Sequence, residues 1–419
     1  MKHMLSNTWA RIGLGVLLSA VLLYFVLPLA FAKDYDSKKN EIPEAIPAAE
    51  QAVKELPAVE LTAEQKDKLI PVTHRDTPAQ VKAVYMSSWV AGTNSFRKKI
   101  VDIIKRTELN TVIIDVKDYS GKISFPVNDP YLQEIGSSEN RVRDIRAFIA
   151  ELHAENIYVI ARIAVFQDPY LAKKWRDQAV MKSDKVSLWE DNKCKREIAR
   201  GKESQCTYWL DTGSQKVWEY AVAIGKEAYA VGFDELNYDY IRFPADGNMK
   251  DIYFPISGGV NKPQVLENFF SYLYKSFAGE DGTHSPRPKL SGDIFGMTMT
   301  NTDDLNIGQV LERAAPYFDY LGPMVYPSHF PNGWNNFSNP ATKPYEVIKV
   351  SMSKGAERLK AIGQDPKKLR PWLQDFNLGA TYTPEMVRAQ IQGTYDAGLD
   401  SWMLWDPGNT YTEAALLKE

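Results

Sequence analysis

From Val81 onward the chain alternates between short apolar runs and longer amphipathic stretches. The apolar runs are rich in β-branched and aromatic residues, which indicates strands, and the stretches between them have apolar positions at helical spacing. The predicted strands are 81–89, 111–119, 158–166, 233–243, 290–298, 320–328, 369–376 and 401–407. Eight strand–helix units are typical of a (β/α)8 TIM barrel. A doubly wound open sheet is the alternative, but it does not need eight strands, and no glycine-rich phosphate loop follows the first one.

The first part of the chain has a different pattern. Lys2 and Arg11 precede an uncharged apolar run, 12–32, that ends in Ala-Phe-Ala. This is the pattern of a secretory signal peptide, and the run is also long enough to be an uncleaved membrane anchor. Residues 33–76 are predicted to be a linker or arm, and 77–419 the barrel domain. We therefore expect an exported protein, whether periplasmic, secreted or anchored facing outward, that contacts the membrane only through residues 12–32.

Composition and motifs exclude several other classes of function. The net charge is only −3, so bulk attraction to nucleic acid is not expected. No H-E-x-x-H, G-x-x-x-x-G-K-[ST] or G-x-S-x-G motif occurs, and the His residues are scattered, so neither a metal nor another cofactor is expected.

The longest predicted loop, 167–210, follows the third strand and contains both cysteines of the chain, Cys194 and Cys206. An isolated pair in an exported protein is expected to form a disulfide, and the absence of nearby His disfavours the alternative of a metal site. Active sites of barrels lie at the C-terminal ends of the strands, so this loop is expected to form one wall of a cleft.

The fourth strand carries an unusual number of ionisable groups in the segment "GFDELNYDYIRFP", residues 232–244. Side chains alternate between the two faces of a strand. Leu236, Tyr238 and Tyr240 are therefore predicted to face the helices, and Glu235, Asn237 and Asp239 the barrel interior. Burying carboxylates is costly unless they are paired, bonded or used in function.

The same alternation predicts further inward polar residues on the other strands. They are Asp115 and Lys117 on the second strand, Arg162 on the third, Asp293 on the fifth, and Trp372 and Gln374 on the seventh. One interpretation of these residues is an internal ion-pair network with a purely structural role. It applies above all to the deepest residues, Glu235 and Asp115. The other is a catalytic site.

Asp239 and Asp293 lie towards the C-terminal ends of neighbouring strands, where barrel chemistry occurs. Glycosidic cleavage requires two carboxyl groups, one to protonate the leaving oxygen and one to act as nucleophile or to activate water. We therefore predict Asp239 and Asp293 as the catalytic pair, with Asp115, Glu235 and Asp406 as alternative partners of Asp239. The predicted substrate-binding residues are Asp115, Lys117, Arg162, Glu235, Asn237, Arg242, Tyr326, Gln374, Trp405 and Asp406. Arg242 can pair either with Asp239 or with a carboxylate or hydroxyl of the substrate.

The motifs "VYMSSW", "NTVIIDVKD", "ARIAVFQDP", "GFDELNYDYIRFP", "GDIFG", "PMVYPSHF" and "SWMLWDP" together resemble a bacterial family of glycoside hydrolase domains, over roughly residues 80–408. The resemblance implies a barrel distantly related to other sugar-cleaving barrels. The fourth strand is also similar in frame to the D-G-x-D-x-D-x-E motif of family 18 chitinases, but Ile241 stands where those enzymes have their proton donor. The chitinase mechanism is therefore not implied, and the partner of Asp239 must come from another strand.

Three hypotheses about function are consistent with the sequence. The first is an exported glycoside hydrolase that cleaves a bacterial cell-wall or extracellular polysaccharide. The second is a non-catalytic carbohydrate-binding or envelope protein on a degenerate barrel, since fold does not establish function. The third is another barrel chemistry, such as a lyase or deacetylase, for which Lys117 and Arg162 would suit an acidic substrate.

Overall fold

The computed structural model describes residues 61–202 and 205–418. The predicted signal or anchor, 1–32, and residues 33–60 of the predicted arm lie outside these ranges. Within them, no helix combines the length and the apolar character that crossing a membrane requires.

Eight parallel strands form a closed barrel in chain order, and the last strand pairs with the first to complete the ring. They are β1 Lys82–Met86, β2 Thr111–Lys117, β3 Tyr158–Ala164, β4 Glu235–Asp239, β5 Lys289–Phe295, β6 Tyr320–Met324, β7 Trp372–Gln374 and β8 Trp402–Trp405. The predicted (β/α)8 barrel is confirmed. Each strand is shorter than predicted, because the apolar pattern continues into the loops beyond the barrel.

Helices surround this barrel. They are α1 Ala63–Lys68, α2 Ser88–Ala91, α3 Asn94–Lys105, α4 Pro130–Ile135, α5 Ile145–Ala154, α6 Pro169–Lys174, α7 Asn192–Ala199, α8 Gln215–Val231, α9 Lys262–Ala278, α10 Leu311–Ala314, α11 Pro344–Ala361 and α12 Pro384–Asp396. Helix α8 begins where the Ser214 side chain accepts a bond from the backbone N–H of Val217. It ends at Gly232, whose φ of 119° is a conformation that glycine adopts without strain, and β4 follows directly.

The strands are buried on both faces, which is why they read as nearly continuous apolar runs. On β2, Val112, Ile114 and Val116 belong to the large core between the sheet and the helices. Ile113 belongs to a smaller cluster inside the barrel, together with Tyr85. The alternation predicted for β2 is therefore confirmed up to Asp115.

The N-terminal end of the barrel interior is closed by a buried ion pair. Glu235, the first residue of β4, accepts bonds at 2.9 and 3.1 Å from Nη1 of Arg370, and a third at 3.2 Å from the Tyr158 hydroxyl. The Arg370 guanidinium also lies 3.1 Å from the centre of the Tyr320 ring. These contacts occupy Glu235 far from the loops that follow the strands.

The part of the predicted arm that the structure describes packs against the barrel. The Asp67 carboxylate of α1 accepts bonds from the backbone N–H groups of Arg146 and Ala147, at 3.2 and 2.8 Å, and so satisfies the first turn of α5. The backbone N–H of Arg75 donates to Asp234 just before β4, at 2.7 Å.

The long loop after β3 contains α6 and α7 and is closed by a disulfide between Cys194 and Cys206, as predicted. Just before α6, Asp168 caps the helix by accepting a bond from the backbone N–H of Leu171, at 2.7 Å. The loop returns to the barrel at Trp209, whose ring is buried.

We expect Arg370→Met to lower the free energy of unfolding by roughly 3–5 kcal/mol, because it leaves the Glu235 carboxylate buried without its cation. The double variant Glu235→Gln/Arg370→Met removes both charges and should regain most of this loss. Urea unfolding followed by circular dichroism measures both. A double variant as unstable as Arg370→Met alone would show that the ion pair does not account for the effect.

Candidate active site

Arg162 of β3 joins two carboxylates in the upper half of the barrel interior. Its Nη1 donates to Asp115 of β2 at 2.6 Å, its Nε donates to Oδ2 of Asp239 of β4 at 3.0 Å, and its Nη2 donates to the same Asp239 oxygen. All three side chains are buried. The inward orientation predicted for them is confirmed, and the guanidinium ties three neighbouring strands together.

Asp115 supports this arrangement from below. One of its oxygens accepts the Arg162 bond, and the other accepts a bond of 2.5 Å from the Tyr85 hydroxyl. Both oxygens are thus engaged by protein donors. Asp115 does not line the cavity, and it therefore positions Arg162, whereas the sequence predicted contact with substrate.

Asp293 of β5 has a different environment from Asp239. Its Oδ1 accepts bonds from Asn237 Nδ2 at 3.0 Å and from Trp372 Nε1 at 2.8 Å, and both donors are uncharged. Burial, together with the nearby Asp239 carboxylate, raises the pKa of Asp293 to about 8. Asp293 is therefore protonated at neutral pH, while Asp239 is held by a cation.

A glycine on the next strand makes room for Asp293. Gly322 of β6 faces it, and a Cβ atom at this position would overlap Oδ1 of Asp293. We attribute this glycine to the close approach of the carboxyl group, which the sequence pattern did not reveal.

Two inward or outward assignments were wrong, and both errors arise where strand geometry ends. The register between β2 and β3 shifts between Asp115 and Lys117, so Lys117 turns away from the interior. Its Nζ donates to the Ala164 carbonyl at 2.6 Å and pairs with Asp168 at 2.9 Å. Tyr240 has a φ of +52°, which ends β4 and directs its side chain towards the site instead of the helices.

A cavity of about 260 Å³ opens above these carboxyl groups. It is lined by Arg162, Asp239, Tyr240, Arg242, Asp293, Phe295, Met324, Tyr326, His329, Trp372 and Trp405. Both predicted catalytic residues therefore lie on one cavity, with four of the predicted substrate-binding residues. The predicted site did not include Tyr240, Phe295, Met324, Trp372 or His329, although the motif "PMVYPSHF" contains Met324 and His329.

The rings around the cavity are neutral, and they are buried or half-buried except for that of His329, which is exposed. Trp405 stacks on Tyr85 with 4.0 Å between ring centres and meets the edge of Trp372. Burial raises the pKa of Tyr326 and lowers that of His329, so both are uncharged at neutral pH. Such a site offers apolar faces and neutral hydrogen-bonding groups, which suit a sugar ring.

Several predicted substrate-binding residues have structural contacts instead. Gln374 accepts a bond from the backbone N–H of Ser328 at 3.1 Å and donates to the Phe376 carbonyl at 2.9 Å, so it ties together the loops after β6 and β7. Asp406 accepts a bond from the backbone N–H of Gly408 in the turn after β8. Neither lines the cavity, and neither do Lys117, Glu235, Asn237 and Asp115.

The long loop after β3 also contributes less directly than expected. None of its described residues, 167–202 and 205–210, lines the cavity. Instead, the ring of Trp209 lies 4.9 Å from the guanidinium carbon of Arg242 and supports that side chain from behind. Among the described residues, no group of three or more His, Cys, Asp or Glu is arranged to hold a metal ion.

Residues 83–411 match the model of a protein family described as "Putative glycosyl hydrolase domain". The chain belongs to this family. The matched range includes residues of all eight strands and both cavity carboxyl groups, and it supports glycoside hydrolysis as the activity. No curated protein matches the chain.

Solved structures similar to this one include barrel glycosidases. An α-L-fucosidase from Paenibacillus thiaminolyticus is 12% identical with a TM-score of 0.52, over 80% of this chain and 47% of the fucosidase. An α-galactosidase from Thermus thermophilus is 15% identical with a TM-score of 0.47, over 84% of this chain and 63% of that enzyme. A hypothetical protein from Ruminiclostridium thermocellum is 30% identical with a TM-score of 0.41, over 50% of this chain and 96% of that protein. The fucosidase likeness supports the barrel fold alone.

The proton on Asp293 should make stability depend on pH. In the folded protein Asp293 keeps its proton up to about pH 8, whereas in the unfolded chain it ionises near 3.8. Its stabilising contribution is thus complete below about pH 4 and is lost as pH rises through 8, by at most about 1.4 kcal/mol per pH unit.

Asp293→Asn, which resembles the protonated carboxyl, should lack this loss. Urea unfolding of both proteins between about pH 5 and 8 measures it, and the titrations of groups that do not interact with Asp293 cancel in the difference. Parallel stability curves for the two proteins would contradict a raised pKa at Asp293.

Proposed function

We propose that the protein is an exported glycoside hydrolase acting on a bacterial cell-wall or extracellular polysaccharide. The observation that carries the proposal is the contrast between two carboxyl groups on one cavity. Asp239 is bonded to the Arg162 guanidinium, and Asp293 is bonded only to neutral donors with its pKa raised to about 8. Glycosidic cleavage needs one ionised and one protonated carboxyl group, and these environments supply that division.

In this proposal Asp293 protonates the oxygen of the leaving sugar, and Asp239 acts as the ionised nucleophile or base. Arg162 pairs with Asp239 and orients it, because Asp115 holds the guanidinium from the opposite side. Asn237 and Trp372 orient the Asp293 carboxyl through its Oδ1. The exposed part of the Trp405 ring and the neutral groups of Tyr326 and His329 receive the sugar.

Export is proposed from the signal-like pattern of residues 1–32 and is supported by the disulfide between Cys194 and Cys206. Disulfides persist mainly in oxidising compartments outside the cytosol. Polysaccharides of the cell wall or the extracellular matrix are the glycans that an exported bacterial hydrolase meets there.

We expect Asp239→Asn to abolish the release of reducing ends and Asp293→Asn to lower it by about 10²–10⁴-fold, the usual contribution of general acid catalysis. Residues 61–419 are incubated with peptidoglycans, exopolysaccharides and α- and β-glucans, and new reducing ends are measured. The matched control is Asp396→Asn on the exposed side of α12, which should retain full activity. Circular dichroism checks that each variant is folded.

Binding of one polymer by the wild type without release from any of them would favour the alternative, a non-catalytic carbohydrate-binding protein. Full activity of Asp239→Asn would show that the ionised partner is another group.

The pH dependence should identify Asp293 as the proton donor. For the wild type, kcat/KM should fall about tenfold per pH unit above pH 8, because the donor loses its proton. Asp293→Asn should lack this alkaline limb. Its defect should also shrink on aryl glycosides with good leaving groups, which need little protonation. An unchanged alkaline limb in Asp293→Asn would assign the titration to a different residue.

A further inference from the structure

Arg242 brings a second guanidinium to the cavity, in addition to that of Arg162. It lies three residues beyond Asp239, and its Nη1 donates to the Phe243 carbonyl at 3.0 Å. Its other contacts are with rings, Trp209 at 4.9 Å and Tyr240 at 5.9 Å from ring centre to guanidinium carbon. Among residues 61–202 and 205–418, no carboxylate forms an ion pair with it.

The contrast with Arg162 is sharp. Arg162 uses Nε and both terminal nitrogens to bond Asp115 and Asp239. Arg242 has five N–H donors and directs one of them to a backbone carbonyl, which leaves four for other partners. Both arginines line the same cavity. Of the two, Arg162 is the one that is bonded to protein carboxylates.

The surroundings of Arg242 hold its guanidinium in place before any ligand arrives. Trp209 supports one side, and the Tyr240 backbone, with its φ of +52°, sets the direction of the chain just before Arg242. A partly buried cation without a counter-ion is costly, and a planar guanidinium in a fixed orientation matches a carboxylate through two parallel bonds. A sugar hydroxyl would offer a single, neutral acceptor and would leave the charge unpaired.

An anionic sugar would not be repelled from this cavity. The cationic side chains Arg162 and Arg242 together balance the carboxylates of Asp115 and Asp239, and the neighbouring Asp293 is protonated at neutral pH. Among the charged side chains of the cavity lining, Arg242 forms no direct ion pair with a carboxylate of the described ranges 61–202 and 205–418.

We propose that the substrate carries a carboxylate on the sugar bound in this cavity, as in a uronic acid or a lactyl-ether amino sugar, and that Arg242 binds this carboxylate. The inference rests on the proposed function, because it names the substrate class of the same site. It makes Arg242 a specificity-determining residue and leaves bond cleavage to the two carboxyl groups.

The test compares pairs of sugars that differ by a carboxylate. The probes are glucuronic acid against glucose, galacturonic acid against galactose, and N-acetylmuramic acid against N-acetylglucosamine, with binding followed by calorimetry and by tryptophan fluorescence. We expect at least one acid to bind about tenfold or more tightly than its neutral counterpart, as charge-assisted bonds from an arginine fork provide. A preference in the glucuronic or galacturonic acid pair would indicate a uronate, and a preference in the N-acetylmuramic acid pair would indicate a lactyl ether.

Arg242→Gln should lower the affinity for the acid by about tenfold or more and so remove this preference. Arg242→Lys, which keeps the charge but not the fork, should retain only part of it. The control is Arg200→Gln, an arginine whose side chain is 65% exposed on the long loop, and it should keep the wild-type preference.

Equal affinities within every pair, no binding of any acid, or a preference that survives Arg242→Gln would each overturn the inference. Failure of the proposed function looks different. An acid preference without release of reducing ends would contradict hydrolysis but not the role of Arg242. Release of reducing ends from neutral glycans alone would support hydrolysis and contradict the role of Arg242.

Discussion

The bond pattern of one arginine determines the chemistry of this barrel. Arg162 is the cation shared by Asp115 and Asp239, and it links β2, β3 and β4 at the level where the interior opens into the cavity. Charges in a protein interior are tolerated only when nearly all their bonds are satisfied. The satisfied side of this network, Asp115 with Tyr85, lies below the arginine, and the side that faces the cavity is Asp239. The same interaction therefore links three strands of the barrel and holds the Asp239 carboxylate at the cavity.

The barrel interior is divided by depth into structural and chemical layers. At the N-terminal end, Glu235 and Arg370 neutralise each other next to Tyr158. At the C-terminal end, Asp293 receives only neutral donors and keeps its proton. The polar residues of the segment 232–244 thus have separate roles. Glu235 closes the N-terminal end, Asn237 orients Asp293, and Asp239 faces the cavity. Arg242 also lines the cavity, and within the part of the chain that the structure describes no carboxylate forms a direct ion pair with it.

The period-two alternation of strands was a reliable guide wherever the strands are regular. It placed Arg162, Asp239 and Asp293 inside the barrel, and the structure agrees. It failed for Lys117, which follows a register shift, and for Tyr240, whose positive φ ends β4. Both failures occur at the C-terminal end of a strand, where the chain enters a loop and the alternation no longer determines the direction of the side chain. These are also the positions from which barrels build their sites.

The sequence by itself determined the fold class, the number and order of the strands, the disulfide, and the strands from which the two carboxyl groups come. These features depend on local periodicity and on residue type, which a single chain displays directly. Only the tertiary structure decided which carboxyl group has a cation and which has neutral donors, because those partners come from strands far apart in the chain. Trp372 reaches Asp293 across 79 positions, and Arg370 reaches Glu235 across 135. The raised pKa of Asp293 follows from its burial beside Asp239, a residue of another strand, and no local pattern encodes that neighbourhood.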